Sequence, residues 1–316
     1  MNSPASLSDV VITTEHRRFA EFCDACRRYG YIGVCYGTPG VGKTLSARHY
    51  ANWHQVEAYA PYQCASDAEL AAVLGSNTIF YTPKVVNSPR QIEQAIQGWR
   101  HRLRAIPLEA LSREEETLLA RARLEDAAKK EAFFLQGIET LDDPPSERPA
   151  QPESQVFRIA QTYAQKRDET PELTTLLMLD EADRLKTASL EQVRDIFDQG
   201  GLGMVLIGMP GLEKRLARYP QLYSRVGFVH EFRPLSADAV RDLFRHQWVP
   251  PGVALPHDGL NDADVLAAII RITGGNFRLL HRLLTQIARL VEINALSRVT
   301  QEVVDAARES LVIGTT

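Results

Sequence analysis

The segment GTPGVGKT, Gly37 to Thr44, constrains this chain more than any other stretch, because it fits the phosphate-loop pattern G-x-x-x-x-G-K-[ST] at every fixed position. Such a loop works between a buried strand and the N-terminus of a helix, where successive backbone N–H groups converge on an anion. The flanks comply. Tyr31-Ile32-Gly33-Val34-Cys35-Tyr36 reads as a short buried strand, and Leu45-Ser46-Ala47-Arg48-His49-Tyr50-Ala51 reads as the helix. The N–H groups of Gly40, Val41, Gly42, Lys43 and Thr44 are expected to ring a β-phosphate, with Gly37, Thr38, Pro39 and Leu45 completing the binding segment. Lys43 supplies a point charge for the β- and γ-phosphates, and Thr44 a hydroxyl ligand for Mg²⁺.

The remaining composition excludes several classes. With 316 residues and 44% hydrophobic content the chain can bury a sizeable core. No apolar run approaches the ~18 residues that span a bilayer. The N-terminus MNSPASLSDV lacks the basic and apolar regions of a secretory signal, so a cytoplasmic location without a membrane partner is expected. Four cysteines fit a reducing compartment. Cys23 and Cys26 form a C-x-x-C, but with Phe19 and Phe22 they fall at helical spacing and read as a packed helix face, while Cys35 belongs to the buried strand. A net charge of −4 opposes bulk affinity for nucleic acid, so any DNA contact must come from a local basic stripe.

Strands alternate with helices along most of the chain. Residues 14–28 predict a helix opened by Thr14, and Asn77 to Tyr81 a second strand. Ser88-Pro89 predicts a helix start, followed by Ile92, Ile96, Trp99 and Leu103 at helical spacing; Arg100-His101-Arg102-Arg104 reads as its outer face. Ser112 with Glu115 reads as a capping box opening a second helix to about Gln136, and the polar, proline-rich stretch 142–152 reads as a mobile linker. Strand character returns at Thr174 to Asp180, Met204 to Gly208 and Val226 to Phe232, with a helix ended by Gly200-Gly201 between the first two. Four amphipathic segments near 236–246, 261–272, 277–293 and 300–311 then predict a helical C-terminal domain. The expectation is an α/β fold with a five-stranded parallel sheet flanked by helices, domain 1–234, and a helical lid, 235–316.

Chemistry concentrates at three further places. Leu176-Leu177-Met178-Leu179 ends in Asp180-Glu181, and a carboxylate at the C-terminal edge of a strand beside a phosphate loop can hold Mg²⁺, while Glu181 can deprotonate the attacking water. Arg225, just before the last strand, can neutralise γ-phosphate charge in a neighbouring subunit. Arg278, opening a helix of the C-terminal domain, can reach the nucleotide from the lid.

GTPGVGKT, LLMLDEADRL, IGMPGLEKRLARYPQLYSRVGFVHEFRPLS and TGGNFRLL resemble the Walker A, Walker B, sensor-1/arginine-finger and sensor-2 regions of AAA+ ATPases, over about residues 14–84 and 155–290. Within that class the wording is most similar to the transposition-regulator ATPases of the MuB, TnsC and TniB kind, related to initiators and helicase loaders. The resemblance implies an ATP and Mg²⁺ site at Gly37 to Thr44, Asp180 and Glu181, a trans-acting Arg225 and a lid Arg278. It further implies a homo-oligomeric ring or filament on double-stranded DNA that works with a transposase and a target-selector protein. Lys84 and Arg90 after the second strand, and Arg184 and Lys186 after the DE pair, are the residues expected to face the duplex phosphates.

Two departures stand out. Gly208-Met209 occupies the end of the fourth strand, where sensor 1 is usually polar, which points to slow hydrolysis or to a water held by another group. Residues 98–153 exceed a minimal core and read as a family-specific helical insertion. The alternatives are a nucleotide-gated signalling or defence switch of the STAND type, against which the end of the chain just after the lid counts, a helicase-loader or secretion-linked ATPase, and a scaffold that binds ATP without turning it over.

Overall fold

The computed structural model describes residues 11–63, 66–139, 154–246, 248–250, 253–255 and 262–311. The expected linker at 142–152 lies outside them.

Five strands form one sheet: β1 (Ile32–Tyr36), β2 (Thr78–Tyr81), β3 (Leu176–Leu179), β4 (Gly203–Gly208) and β5 (Val226–Glu231), in the order β2-β3-β4-β1-β5. Every pairing is parallel. β3 and β4 are buried along their whole length, which is why they read as continuous apolar runs, whereas the edge strand β5 alternates between half-buried and exposed. In a parallel sheet all C-terminal strand ends lie along one edge, so the loops after β1, β3 and β4 emerge together.

α1 (Thr14–Tyr29) precedes β1, and its N-cap is Thr13 rather than Thr14: the Thr13 hydroxyl accepts from the His16 N–H at 3.1 Å. Phe19, Phe22, Cys23 and Cys26 are all buried on one face, as the spacing requires. Burial pushes the Cys26 thiol up to about 12 and raises Cys23 as well, as expected for cysteines packed as small hydrophobes on a helix face. α2 (Lys43–Tyr50), α3 (Trp53–Ala58) and α4 (Asp67–Val73) follow β1.

α5 runs unbroken from Pro89 to Glu139, which corrects the expectation of two helices divided at Ser112. Ser112 turns its hydroxyl back to the Leu108 carbonyl at 2.9 Å instead of capping, and Glu115 pairs with Arg167 of α6 (Gln155–Asp168). Pro107 sits inside this helix and is accommodated there without ending it. Arg102 turns onto the carbonyls of Glu57 and Tyr59 and Arg100 is half-buried, while His101 and Arg104 of the basic cluster are exposed.

After β3 a single 3₁₀ turn (Ala182–Arg184) leads into α7 (Thr187–Asp198); α8 (Leu212–Leu216) and α9 (Pro220–Tyr223) connect β4 to β5. α10 (Ala237–Arg245), α11 (Ala263–Thr273), α12 (Phe277–Ile293) and α13 (Gln301–Glu309) enclose a core of their own. Leu280, Leu283, Leu284 and Ile287 of α12 are fully buried in it, at about 1.5–3 kcal/mol each, which outweighs any difference in helix propensity along the segment.

By contacts the chain forms two compact units. One gathers the described residues of Met1–His54, Asn77–Ile96 and Thr174–Thr316, including the whole sheet and α7 to α13; the other is helical and gathers Gln55–Ser76 and Gln97–Leu173. In the second unit Glu109 accepts from the Tyr59 hydroxyl and the Tyr62 N–H, both at 2.8 Å, and pairs with Arg113.

Candidate functional site

The site lies in the sheet-bearing unit. β1 delivers the loop Gly37 to Thr44, and α2 begins with Ser46 N–H bonding the Gly42 carbonyl at 2.9 Å. The N–H groups of Lys43, Thr44 and Leu45 therefore precede the first intrahelical bond and are open to an anion. Lys43 is only 9% exposed, and its ammonium donates to the carbonyls of Gly37 at 2.5 Å and Thr38 at 3.0 Å. Burial lowers its pKa, the charge of Arg278 pushes the same way, and Cys35, Asp180 and Asp183 oppose. A desolvated cation beneath a ring of free donors fits a polyphosphate.

β3 delivers Asp180, 3% exposed, whose Oδ2 accepts from the Thr44 hydroxyl at 2.7 Å. Its Oδ1 accepts from the Glu181 N–H at 2.9 Å. Burial raises the Asp180 pKa, and the bonds from Thr44 and Glu181 counter it. A hydroxyl and a carboxylate in contact at the head of the loop are a hard-oxygen pair suited to Mg²⁺.

Glu181 sits at φ 49°, a left-handed turn that costs about 1–2 kcal/mol for an L residue, and its carboxylate pairs with Arg184. Arg184 also donates to the Pro83 carbonyl at 3.0 Å. Asn87 ties the same two loops together, donating to the carbonyls of Lys84 and Arg184, both at 3.0 Å, while Ser189 donates to its Oδ1 at 2.8 Å. The two segments expected to face DNA are thus joined into one surface. Lys84, Arg90 and Lys186 are exposed on it, whereas the Arg184 guanidinium is already engaged.

At the sensor-1 position Gly208 has no side chain to offer, and Asp183 takes the room. A Cβ on Gly208 would lie 2.4 Å from Asp183 Oδ2, and that oxygen accepts from the Met209 N–H at 2.8 Å. Arg215 holds the Asp183 carbonyl at 2.7 Å.

Arg278 reaches the loop through its backbone: its N–H donates to the Gly40 carbonyl at 3.0 Å, and its side chain is exposed. Arg225 is elsewhere. Its guanidinium grips Asp198 of α7 at 2.5 and 2.8 Å and bonds the Gln221 carbonyl, so this arginine is paired within its own chain.

Asp183, Asp198, Asn87, Ser189 and Arg215 escaped the sequence reading, as did Asn276, the N-cap of α12. Asp183 stands in the sequence as the third acid of D-E-A-D, and Asn276 as an N-cap before an apolar run, but neither spacing reveals what the side chain touches.

Residues 26–216, more than half of the chain, match the AAA domain family. The chain belongs to that family. A Staphylococcus aureus protein described as a potential ATP-binding protein is 38% identical over 305 residues, covering 96% of each chain. The Aeropyrum pernix ORC1 protein, solved in complex with DNA, shares the fold at TM-score 0.51 and 20% identity, over 97% of this chain and 67% of that one. Cdc6p from Pyrobaculum aerophilum shares it at TM-score 0.51 and 14% identity, over 99% and 71%. The AAA+ part of the sequence resemblance is thereby shown. Among the described residues no helix is long and apolar enough to cross a membrane.

Proposed function

We propose that this chain is an ATP-dependent, DNA-binding AAA+ ATPase that assembles into a ring or filament on duplex DNA and regulates target selection and transposase activation. The observation that carries the nucleotide half is the 2.7 Å bond from Thr44 to Asp180, made across 136 residues at the head of the phosphate loop. The name of the Staphylococcus aureus relative supports the same half. The transposition half rests on the likeness of the motif wording to the MuB, TnsC and TniB kind.

In this reading residues 1–234 form the nucleotide-binding domain and 235–316 the lid. The N–H groups of Gly40 to Thr44 and the Lys43 ammonium bind the β- and γ-phosphates. Thr44 and Asp180 would hold Mg²⁺, which neutralises phosphate charge when bound. Glu181 takes the proton of the attacking water as the new O–P bond forms and the bond to the ADP oxygen breaks. To do so it exchanges its pairing with Arg184 for the water. Arg225 leaves Asp198 for the γ-phosphate of the neighbouring subunit, and Arg278 closes from the lid.

Lys84, Arg90 and Lys186 contact duplex phosphates, with Arg184 holding their loops in place. A few such contacts per subunit, repeated along an oligomer, give a mildly acidic monomer a salt-dependent and sequence-tolerant affinity. Light scattering and electron microscopy of the ATP-loaded protein with duplex DNA test the proposal. Extended or ring-shaped oligomers are expected, and a protein that stays monomeric under those conditions defeats it. Co-purification with a transposase tests the partner, and retrieval of a replicative helicase instead would turn the reading toward a loader.

A further inference from the structure

Asn276 bonds in two directions at once. As N-cap of the 17-residue α12 it accepts the N–H groups of Arg278 at 3.0 Å and Leu279 at 3.3 Å on Oδ1, which satisfies first-turn donors. Its Nδ2 then donates to the Pro39 carbonyl at 2.8 Å, 237 residues away in the chain. A cap needs only the first of these.

The second bond completes a pattern along the phosphate loop. Four successive carbonyls are each taken: Gly37 and Thr38 by the Lys43 ammonium, Pro39 by Asn276, and Gly40 by the Arg278 N–H. A trans peptide is planar, with its C=O and N–H pointing opposite ways. Drawing the Pro39 carbonyl toward the lid therefore turns the Gly40 N–H away from it, and drawing the Gly40 carbonyl does the same for Val41. Those two N–H groups open the expected phosphate ring. The approach is close: at Gly40, φ 85°, a Cβ would lie 2.6 Å from Asn276 Oδ1 and 2.7 Å from Arg278 Cβ. Gly40 thus admits both the left-handed turn and the seated helix end.

We propose that Asn276 is a positioning residue for nucleotide binding, whose amide clamps the Pro39 carbonyl, pre-orients the Gly40 N–H toward the phosphates, and so couples the seating of α12 to triphosphate affinity. The inference rests on the nucleotide-binding reading and adds to it a residue that touches no phosphate. Its action is preorganisation: a loop held in its binding shape before the ligand arrives spends less of the binding energy on ordering.

Two substitutions separate the clamp from the cap. Asn276→Ser keeps a capping hydroxyl but is too short to reach Pro39, whereas Asn276→Ala loses both functions. Titration of the full chain with a fluorescent ATP analogue, alongside urea unfolding without nucleotide, gives the two readouts. Asn276→Ser is expected to bind about five- to tenfold more weakly, with an unfolding midpoint lowered only by the single lost bond to Pro39. Asn276→Ala is expected to show the same affinity loss and a midpoint lower still, because the cap is lost as well. Wild-type affinity in Asn276→Ser overturns the proposal, as does an affinity loss seen only in Asn276→Ala together with its lost stability, because either result leaves Asn276 a cap and nothing more. Lys43→Ala distinguishes the underlying reading: if wild type and Lys43→Ala both fail to bind the analogue, nucleotide binding itself falls and the clamp with it.

Discussion

The N-terminus of α12 and the corner between α9 and β5 each carry an arginine expected at the nucleotide, yet only the first lies against the phosphate loop. Arg278 is 3.0 Å from Gly40 through its backbone, with its guanidinium exposed. Arg225 is held by Asp198, which Arg194 also grips, in a network on α7. One chain therefore seats the start of α12 on its own phosphate loop but keeps its other arginine paired internally. The side chains of Arg225 and Asp198 are 31% and 30% exposed, and pairs of that kind are worth about 1 kcal/mol or less, so a desolvated phosphate can displace the carboxylate. The contrast is between a contact that the fold of one chain completes and one that a second subunit would have to complete.

The largest test of this contrast is Arg225→Ala. Turnover by the assembled protein should fall by about 10³-fold or more while ATP affinity of the isolated chain stays within twofold, as read by phosphate release and by fluorescent-nucleotide titration. A matching loss of single-chain affinity would place Arg225 in its own site and erase the difference between the two corners. Next in size, Glu181→Gln should lower turnover about 10²–10⁴-fold and leave DNA-bound oligomers that persist in electron micrographs, because in the proposed cycle ATP binding drives assembly and proton transfer to Glu181 is needed only for the hydrolysis that ends it. Oligomers that dissociate as quickly as wild type would uncouple hydrolysis from disassembly. Arg278→Ala should weaken nucleotide binding about tenfold already in the isolated chain, the size of one lost charge-assisted hydrogen bond. The smallest effect belongs to Asp198→Asn. Removing the competitor for Arg225 should raise turnover at low protein concentration by up to about fivefold, the value of one part-exposed pair. A decrease there would mean that Asp198 orients the arginine rather than restraining it.

Much of the fold could be read from local pattern. β3 and β4 were visible as apolar runs because both faces of a central parallel strand are covered, and α12 was visible because Leu280, Leu283, Leu284 and Ile287 repeat on one face. The break assigned at Ser112 shows the limit of such signals. A serine followed three residues later by glutamate opens a helix when the chain enters from outside, but in α5 the chain is already helical and the same hydroxyl bonds Leu108. The capping box at Ser66 and Glu69, where the chain does enter from outside, opens α4. The neighbour of Gly208 was equally out of reach of local pattern, because Asp183, which accepts from the Met209 N–H, comes from the turn after a different strand.

By itself the sequence determined the five strands, the helices α1, α2, α7 and α10 to α13, and the phosphate-loop pattern from Gly37 to Thr44, since backbone propensity, hydrophobic period and the need for glycine act over a few residues. Tertiary structure alone decided that Thr44 meets Asp180, that Asp183 fills the space beside Gly208, that Asn276 reaches Pro39, and that Arg225 rests on Asp198. The physical reason is that the strand order β2-β3-β4-β1-β5 and the seating of α12 bring together donors and acceptors far apart in the chain. No local rule encodes which of them will fall within hydrogen-bonding distance.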